Sequence, residues 1–306
     1  MRIREGDAHA KACDTESIQM KGGLTLDSTN LTPLEMAKAV FLFDFTFWLV
    51  RYAVFAALAF AFVYFIARQK FGSRAIQKTN PSRDRLWKEV GWSVSTLFVF
   101  ALMAILVVLL MRAGLTRRYN SISDYGWGYY LLSWILFILA HDAYFYWAHR
   151  FMHWKPIFRY VHAVHHRSTN PSPLAAFAFH PLEAVVEYAF FIPMIMILPL
   201  HFSITHTYPS IMLLLNVYAH LGYEFLPRAF ASHPIGRWVI TATLHNQHHK
   251  KFRVNYGLWF YWWDRWFGTI DPAYETEFRA NEGPVREKLE NLQTRHVTVG
   301  PGSNAG

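Results

Sequence analysis

The sequence predicts an all-α, multi-pass membrane helical bundle, with about 3–5 membrane helices and a cytosolic histidine-rich helical cap. Composition gives the first reason. Of 306 residues, 53% are hydrophobic and 18% aromatic, and only 17% are charged, where soluble domains carry about a quarter. The second reason is a set of apolar runs long enough to cross a bilayer. The third is a crowd of histidines just beyond them: 14 of the 16 fall between His141 and His249.

The elements follow in chain order. Residues 1–38 read as a flexible N-terminal tail, because "MRIREGDAHAKACDTESIQMKGG" is polar and lacks the apolar core of a signal peptide. Residues 39–126 read as N-terminal membrane helices with a basic cytosolic loop. The runs Ala39–Ala67, Trp92–Met111 and Trp127–Trp147 each approach or exceed the roughly 20 residues that span the hydrocarbon core. Between the first two lie Arg68, Lys70, Arg74, Lys78, Arg83, Arg85 and Lys88. By the positive-inside rule that loop is cytoplasmic. Counting spans then brings the end of the third helix, near His149, to the same side.

Two weaker runs, Ala184–Leu200 and Ile204–Leu221, are interrupted by Pro193, Pro199 and Pro209. They read as a hairpin that enters the membrane and returns, or as a cytosolic helix pair. The catalytic region is expected over 127–275. Within it "LWFYWWDRWFGT" reads as an aromatic-rich interfacial helix ended by Gly268, with Asp264 and Arg265 bonding it to the cap. Residues 276–306 read as a polar C-terminal tail, disordered from about Asn281.

Charge and cysteine content remove several classes. The formal charge is +9, but the basic residues flank hydrophobic spans and form no aromatic-interleaved stripe, so no nucleic-acid partner is expected. Cys13 is the single cysteine, which excludes an internal disulfide, a four-cysteine cluster and a cysteine zinc site within the chain.

The histidines carry the chemistry. In "HDAYFYWAHRFMH", His149 and His153 are i,i+4 partners at the end of the third span. "HAVHH" supplies His162, His165 and His166, and "HNQHH" supplies His245, His248 and His249. Residues three and four apart share a helix face, within about 60°, so each triplet is expected to aim its three imidazoles at one point. Eight imidazoles exceed what one metal takes, which implies two. Imidazole suits Zn, Cu, Fe and Ni alike. A structural zinc site is satisfied by four ligands, and no His-Glu-x-x-His of a zinc protease occurs.

Together, "HDAYFYWAHRFMH", "HAVHH", "AFHPLE", "HNQHH" and "YWWDRWFGT" resemble the fatty acid hydroxylase and sterol desaturase superfamily of membrane di-iron oxygenases, over about residues 127 to 271. The resemblance implies two iron ions held by the three histidine boxes, His149 and His153, then His162, His165 and His166, then His245, His248 and His249. It adds His220 in "YAHLGYE" as a ligand. Where some members carry a further histidine this chain has Glu224, either a ligand or an acceptor for one. His180 and Glu183 match a motif of structural or supporting role. Asp142, i+7 from His149, is expected to accept the free ring N–H of a ligating histidine. His141 is expected to be structural or supporting, and His201, His206 and His233 to be ordinary surface or loop residues.

The implied reaction is O2-dependent hydroxylation or desaturation of an unactivated C–H position of a lipid drawn from the bilayer. "PSPLAAFAFHPLE" leans toward the sterol C-5 desaturase branch, with fatty acyl and sphingoid lipids also open. No Gly-x-Gly-x-x-Gly, Cys-x-x-Cys-His or His-Pro-Gly-Gly is present, so a separate electron donor is expected, ferredoxin or cytochrome b5 with its reductase. The basic loop is a candidate platform for it. The membrane is the cell membrane in a bacterium and the endoplasmic reticulum in a eukaryote. The competing readings are a multi-pass metal transporter, disfavoured because the histidines lie past helix ends, and a zinc-dependent membrane lipid hydrolase, which the histidine excess fits poorly.

Overall fold

The computed structural model describes residues 17–19, 25–27 and 31–280. Within the segment expected to be a flexible tail, Ser17–Gln19 (β1) and Thr25–Asp27 (β2) pair antiparallel, and the first helix starts at Pro33, ahead of the apolar run. Its start is a capping box. The Thr32 hydroxyl accepts from the Glu35 N–H, the Glu35 carboxylate accepts from the Thr32 N–H at 2.9 Å, and Pro33 occupies the first turn. The C-terminal tail expected from about Asn281 lies outside the described residues.

Among the described residues three helices are long and apolar enough to cross a membrane: Pro33–Lys70 (α1), Arg83–Arg112 (α2) and Gly126–Met152 (α3). α1 contains a π-helical turn at Phe62–Ala67. Much of their surface is exposed apolar side chain, including Leu42, Leu58, Leu106 and Ile135, as lipid-facing helices require.

α3 ends at the histidine region, and Lys155–Val161 (α4) and Ala163–His166 (α5) follow as short helices. A tight turn at Pro173–Phe177 sits between the first two spans: the Leu174 carbonyl accepts from both Tyr52 (2.7 Å) and Ser93 (2.9 Å). Glu89 of α2, buried, accepts from Ser168 and Ser172. The loop after the first triplet is thereby fastened to the bundle.

The proline-interrupted region is a hairpin. Its outward limb is broken into Pro181–Ala189 (α6) and Phe191–Ile197 (α7), and its return limb is Phe202–Ala219 (α8), which keeps Pro209 inside. At the tip, Arg118–Tyr119 (β3) pairs in parallel with Leu200–His201 (β4). The hairpin lies along the full length of α3. Near the histidine end Tyr144 donates to the Val186 carbonyl, and at the far end Tyr129 donates to the Pro199 carbonyl. From Tyr129 to Tyr144 the helix rises about 22 Å, most of the thickness of a hydrocarbon core. Neither limb meets the length and hydropathy of a span by itself, yet the hairpin reaches nearly as deep as one.

The basic loop lies on the histidine side of the bundle. Ala75 bridges to Tyr223, the Glu224 N–H donates to the Arg74 carbonyl, and the Gln77 and Asn170 amides tie the loop to residues 170–171. The side assignment made by counting spans is therefore internally consistent. The remaining cap comprises Ala242–Lys251 (α9), Trp262–Trp266 (α10) and Tyr274–Ala280 (α11). The aromatic stretch is helical over five residues only. Its first part is extended, with Phe260 bridging Val239, and Gly268 (φ 67°) ends it in the left-handed region as expected.

Candidate metal centre

α3, α5, α8 and α9 bring nine histidines together in two groups. His149, His153, His162, His166 and His248 form one, and His165, His220, His245 and His249 the other; within each, one ring nitrogen per residue lies within 4.8 Å of all the rest. All eight histidines of the three boxes are included, with His220. The expectation that each triplet aims at one point is corrected. Each triplet is split, with His162 and His166 in the first group and His165 in the second, and with His245 and His249 in the second and His248 in the first. The helical wheel explains this: an i,i+4 pair is about 40° apart, whereas the i+3 and i+4 rings diverge by about 100°. The groups adjoin, since the His165 and His249 rings lie 4.5 Å apart and those of His166 and His249 4.9 Å.

Whether these residues fit a metal is tested by their protons. His149 Nδ1 lies 3.0 Å from the Tyr256 carbonyl, His248 Nδ1 2.6 Å from that of Val254, and His220 Nδ1 2.6 Å from that of Asn216. His162 Nδ1 lies 2.7 Å from the Glu183 carboxylate. Carbonyls and carboxylates only accept, so each Nδ1 carries the proton and each Nε2 a lone pair. Those Nε2 atoms nonetheless face other Nε2 atoms: 3.1 Å for His149 and His162, 3.0 Å for His248 and His166, and 3.2 Å for His245 and His220. For His149 and His162, both protonated on Nδ1, lone pairs at that separation repel unless a cation lies between them. For metal–nitrogen bonds of about 2.1 Å, cis positions of an octahedron are about 3.0 Å apart and tetrahedral positions about 3.4 Å. The spacings and the five-nitrogen group both favour a coordination number above four. The residues fit metal ions.

Burial, with the neighbouring histidines adding to it, drives the ring pKa values of His153, His162, His165, His166, His245, His248 and His249 far below the ordinary value; burial brings His220 down to about 4 against the upward pull of its bond to the Asn216 carbonyl. These rings are neutral at physiological pH, the form that ligates. The Nδ1 atoms of His165, His166 and His249 are buried without a hydrogen-bond partner among the described residues.

Glu183 acts as the sequence suggests, holding His162, while His180 caps α6 by accepting from the Leu182 N–H. Glu224 is not brought into either group. Its carboxylate accepts from the N–H and hydroxyl of Thr243, the Leu226 N–H and Tyr218, so it fixes the start of α9, which carries the third box. Those bonds hold its pKa down against the larger upward pull of burial.

Asp142 requires a correction. It accepts no histidine proton but four others, from the N–H groups of Trp259 (2.8 Å) and Phe260 (3.1 Å) and the indoles of Trp262 (2.9 Å) and Trp263 (3.0 Å). Being on the His149 face left it two turns short of that ring. Asp264 ties the same segment inward by accepting from the N–H groups of Tyr256 and Gly257. A Cβ on Gly257 would collide with the Phe260 carbonyl, so the close approach needs glycine. Arg265 reaches Tyr261 and Glu275 instead of the metal groups. The expectation of surface roles is corrected for His201, which is buried, caps α8 and bonds the Asn120 carbonyl. His206 bonds the Phe202 carbonyl, and His233 caps a turn at Ile235–Gly236.

Sequence reasoning missed the carbonyl partners of Val254, Tyr256 and Asn216, which leave no side-chain signal. One indirect signal existed. Asn255 (φ 57°) takes the left-handed backbone that Asn tolerates, placing the flanking carbonyls, and it bonds back to the Leu244 carbonyl.

A cavity of about 180 Å³ opens between α1, α2, α3 and the hairpin. Its walls are mainly Phe, Val, Trp and Met, and it ends at Phe179 and Asn216, which adjoin the second group through His165 (ring centroids 5.1 Å apart) and His220.

Comparisons with known proteins agree with this arrangement. A family model described as fatty acid hydroxylase matches residues 134–269. A Delta(7)-sterol 5(6)-desaturase of Gibberella zeae is 27% identical over 231 residues, 73% of this chain and 68% of the relative. A Delta(7)-sterol 5(6)-desaturase of Aspergillus fumigatus is 28% identical over 251 residues, covering 73% and 75%. The lathosterol oxidase of Rattus norvegicus is 27% identical over 213 residues, covering 68% and 69%. No solved structure matches. With the histidine boxes in order, two metal-competent groups in space and these relatives, residues 134–269 form a fatty acid hydroxylase domain similar to the sterol desaturases, and the chain is a membrane-bound oxidoreductase.

Proposed function

We propose that the protein is an O2-dependent di-iron oxygenase that hydroxylates or desaturates an unactivated C–H position of a membrane lipid, with a sterol C-5 desaturase-like reaction favoured by the relatives' names. The observation that carries this reading is the convergence of nine imidazoles, four of them held by Nδ1 acceptors with their Nε2 lone pairs turned inward, beside a largely apolar cavity. His149, His153, His162, His166 and His248 would hold one iron, and His165, His220, His245 and His249 the other. When bound, the metals supply activation of O2, the chemistry an aliphatic C–H bond needs and side chains lack.

The chain's own residues do the rest. Glu183 and the carbonyls of Asn216, Val254 and Tyr256 hold ring protons away from the ligating nitrogens and fix ring orientation. The apolar walls keep water from the substrate carbon and hold a lipid extended along the bundle. Electrons come from a separate ferredoxin or cytochrome b5 with its reductase, docking on the histidine side, which the positive loop assigns to the cytosol. The basic loop from Arg68 to Lys88 is the proposed platform.

The test is metal analysis of the purified chain in nanodiscs, with product analysis after adding lipid, donor and O2. About two irons per chain and product formed only with O2 support the reading. Stoichiometric zinc with turnover under anaerobic conditions refutes it in favour of a hydrolase.

A further inference from the structure

Among the polar groups lining the cavity, His141 and Glu187 are two that the metal centre does not use. His141 of α3 is buried, stacks on Phe190 (4.4 Å between centroids) and places Nδ1 2.5 Å from the Tyr208 hydroxyl. Tyr208 in turn receives the Trp259 indole N–H at 3.0 Å. An indole only donates, so the Tyr208 proton goes to His141 Nδ1, and neutral His141 carries its own proton on Nε2. That Nε2 has no partner among the described residues, and His141 lines the cavity. Glu187 of α6 lines the same cavity, three residues before the Phe190 ring on which His141 stacks. It is half-buried, and its carboxyl makes no hydrogen bond among the described residues.

A donor and an acceptor left open in an apolar chamber are costly, about 1–3 kcal/mol for each unmet group. The economical explanation is a ligand that meets both. A hydroxyl accepts from an N–H and donates to a carboxyl with one atom. A hydroxyl meets both groups whether the Glu187 carboxyl accepts or donates, and a hydrocarbon meets neither.

We propose that His141 Nε2 and the Glu187 carboxyl form a subsite that binds the hydroxyl of a lipid alcohol within the cavity. The inference deepens the lipid-oxygenase reading and rests on it for the identity of the cavity as the substrate's. Along α3, His141 lies about 12 Å before His149. A hydroxyl fixed there selects which carbons of the lipid reach the histidines. Glu187 and His141 are thus specificity-determining, positioning groups.

The test uses the full chain in nanodiscs and two matched probe pairs, 5α-cholestan-3β-ol against 5α-cholestane and hexadecan-1-ol against hexadecane. Within at least one pair the alcohol should bind tenfold or more tightly. Glu187→Leu should abolish that preference while leaving hydrocarbon binding unchanged, His141→Leu should do the same, and Glu187→Gln should restore it. Should His141→Leu fail to fold by thermal melting, Glu187→Leu and its Gln counterpart carry the test. Equal binding within both pairs, binding of neither member, or a preference that survives Glu187→Leu overturns the subsite. Iron is counted on the same samples. Alcohol preference without iron refutes the oxygenase reading and leaves the subsite standing, and iron with turnover but no preference does the reverse.

Discussion

Replacing Asp142 by Asn should loosen the metal centre although Asp142 touches no ligand. The wild-type carboxylate, fully buried, receives four N–H donors, two on each oxygen. Asparagine retains one acceptor oxygen and turns an NH2 toward the other two donors. Two buried donors are then unmet at about 1–3 kcal/mol each, a loss of about 2–6 kcal/mol. Against a total stability of about 5–15 kcal/mol, this is a large fraction. The melting midpoint should fall by roughly 10 °C. The segment released, 259–263, continues directly from Val254 and Tyr256, whose carbonyls hold His248 and His149. Metal content, above all in the five-histidine group, should fall with it. The assay is near-ultraviolet circular dichroism of the purified variant against temperature, which reads Trp259, Trp262 and Trp263 directly, with metal analysis of the same sample. An Asn variant that melts with the wild type and keeps its full metal complement would refute the reasoning.

Other expectations follow from the same geometry. His162→Ala and His165→Ala should each lower bound metal from two toward one per chain, but from different groups, and a spectroscopic probe of the metals should report different residual signals. Glu183→Leu leaves the His162 Nδ1–H without its acceptor and should weaken metal binding about 10–100-fold in a chelator competition, with Glu183→Gln intermediate. For the metal-stripped protein the sign of the pH effect follows from the lowered histidine pKa values. The folded rings stay neutral while the unfolded rings take up protons below about 6.5, so stability falls as pH drops from 7.5 to 5.5. Linkage gives about 1.4 kcal/mol per buried histidine over that interval. Melting at the two pH values measures it, and equal midpoints would contradict the neutral assignment.

Much of this was legible in the sequence because its signals are local. Apolar run length identified α1, α2 and α3, and i,i+4 spacing paired His149 with His153, while the same spacing inside each triplet was read as one target where there are two. Legibility ended where a residue's partner is remote. A helix face says where Asp142 points and nothing of what lies over it, which proved to be a segment about 120 residues later. Helical reach allowed Glu224 near a metal, but Thr243 and Tyr218 occupy its oxygens. The run His141, Tyr208 and Trp259 spans three separate segments, and no periodicity announces it. Carbonyl acceptors are common to every residue and invisible in composition.

His165 and His166 are joined by one peptide bond and serve different metal groups. A single covalent link therefore sets the gauge between the two groups, like a sleeper between rails. Inserting one residue on either side of it would rotate the wrong ring into each position, so this stretch should tolerate changes of side chain far better than changes of length.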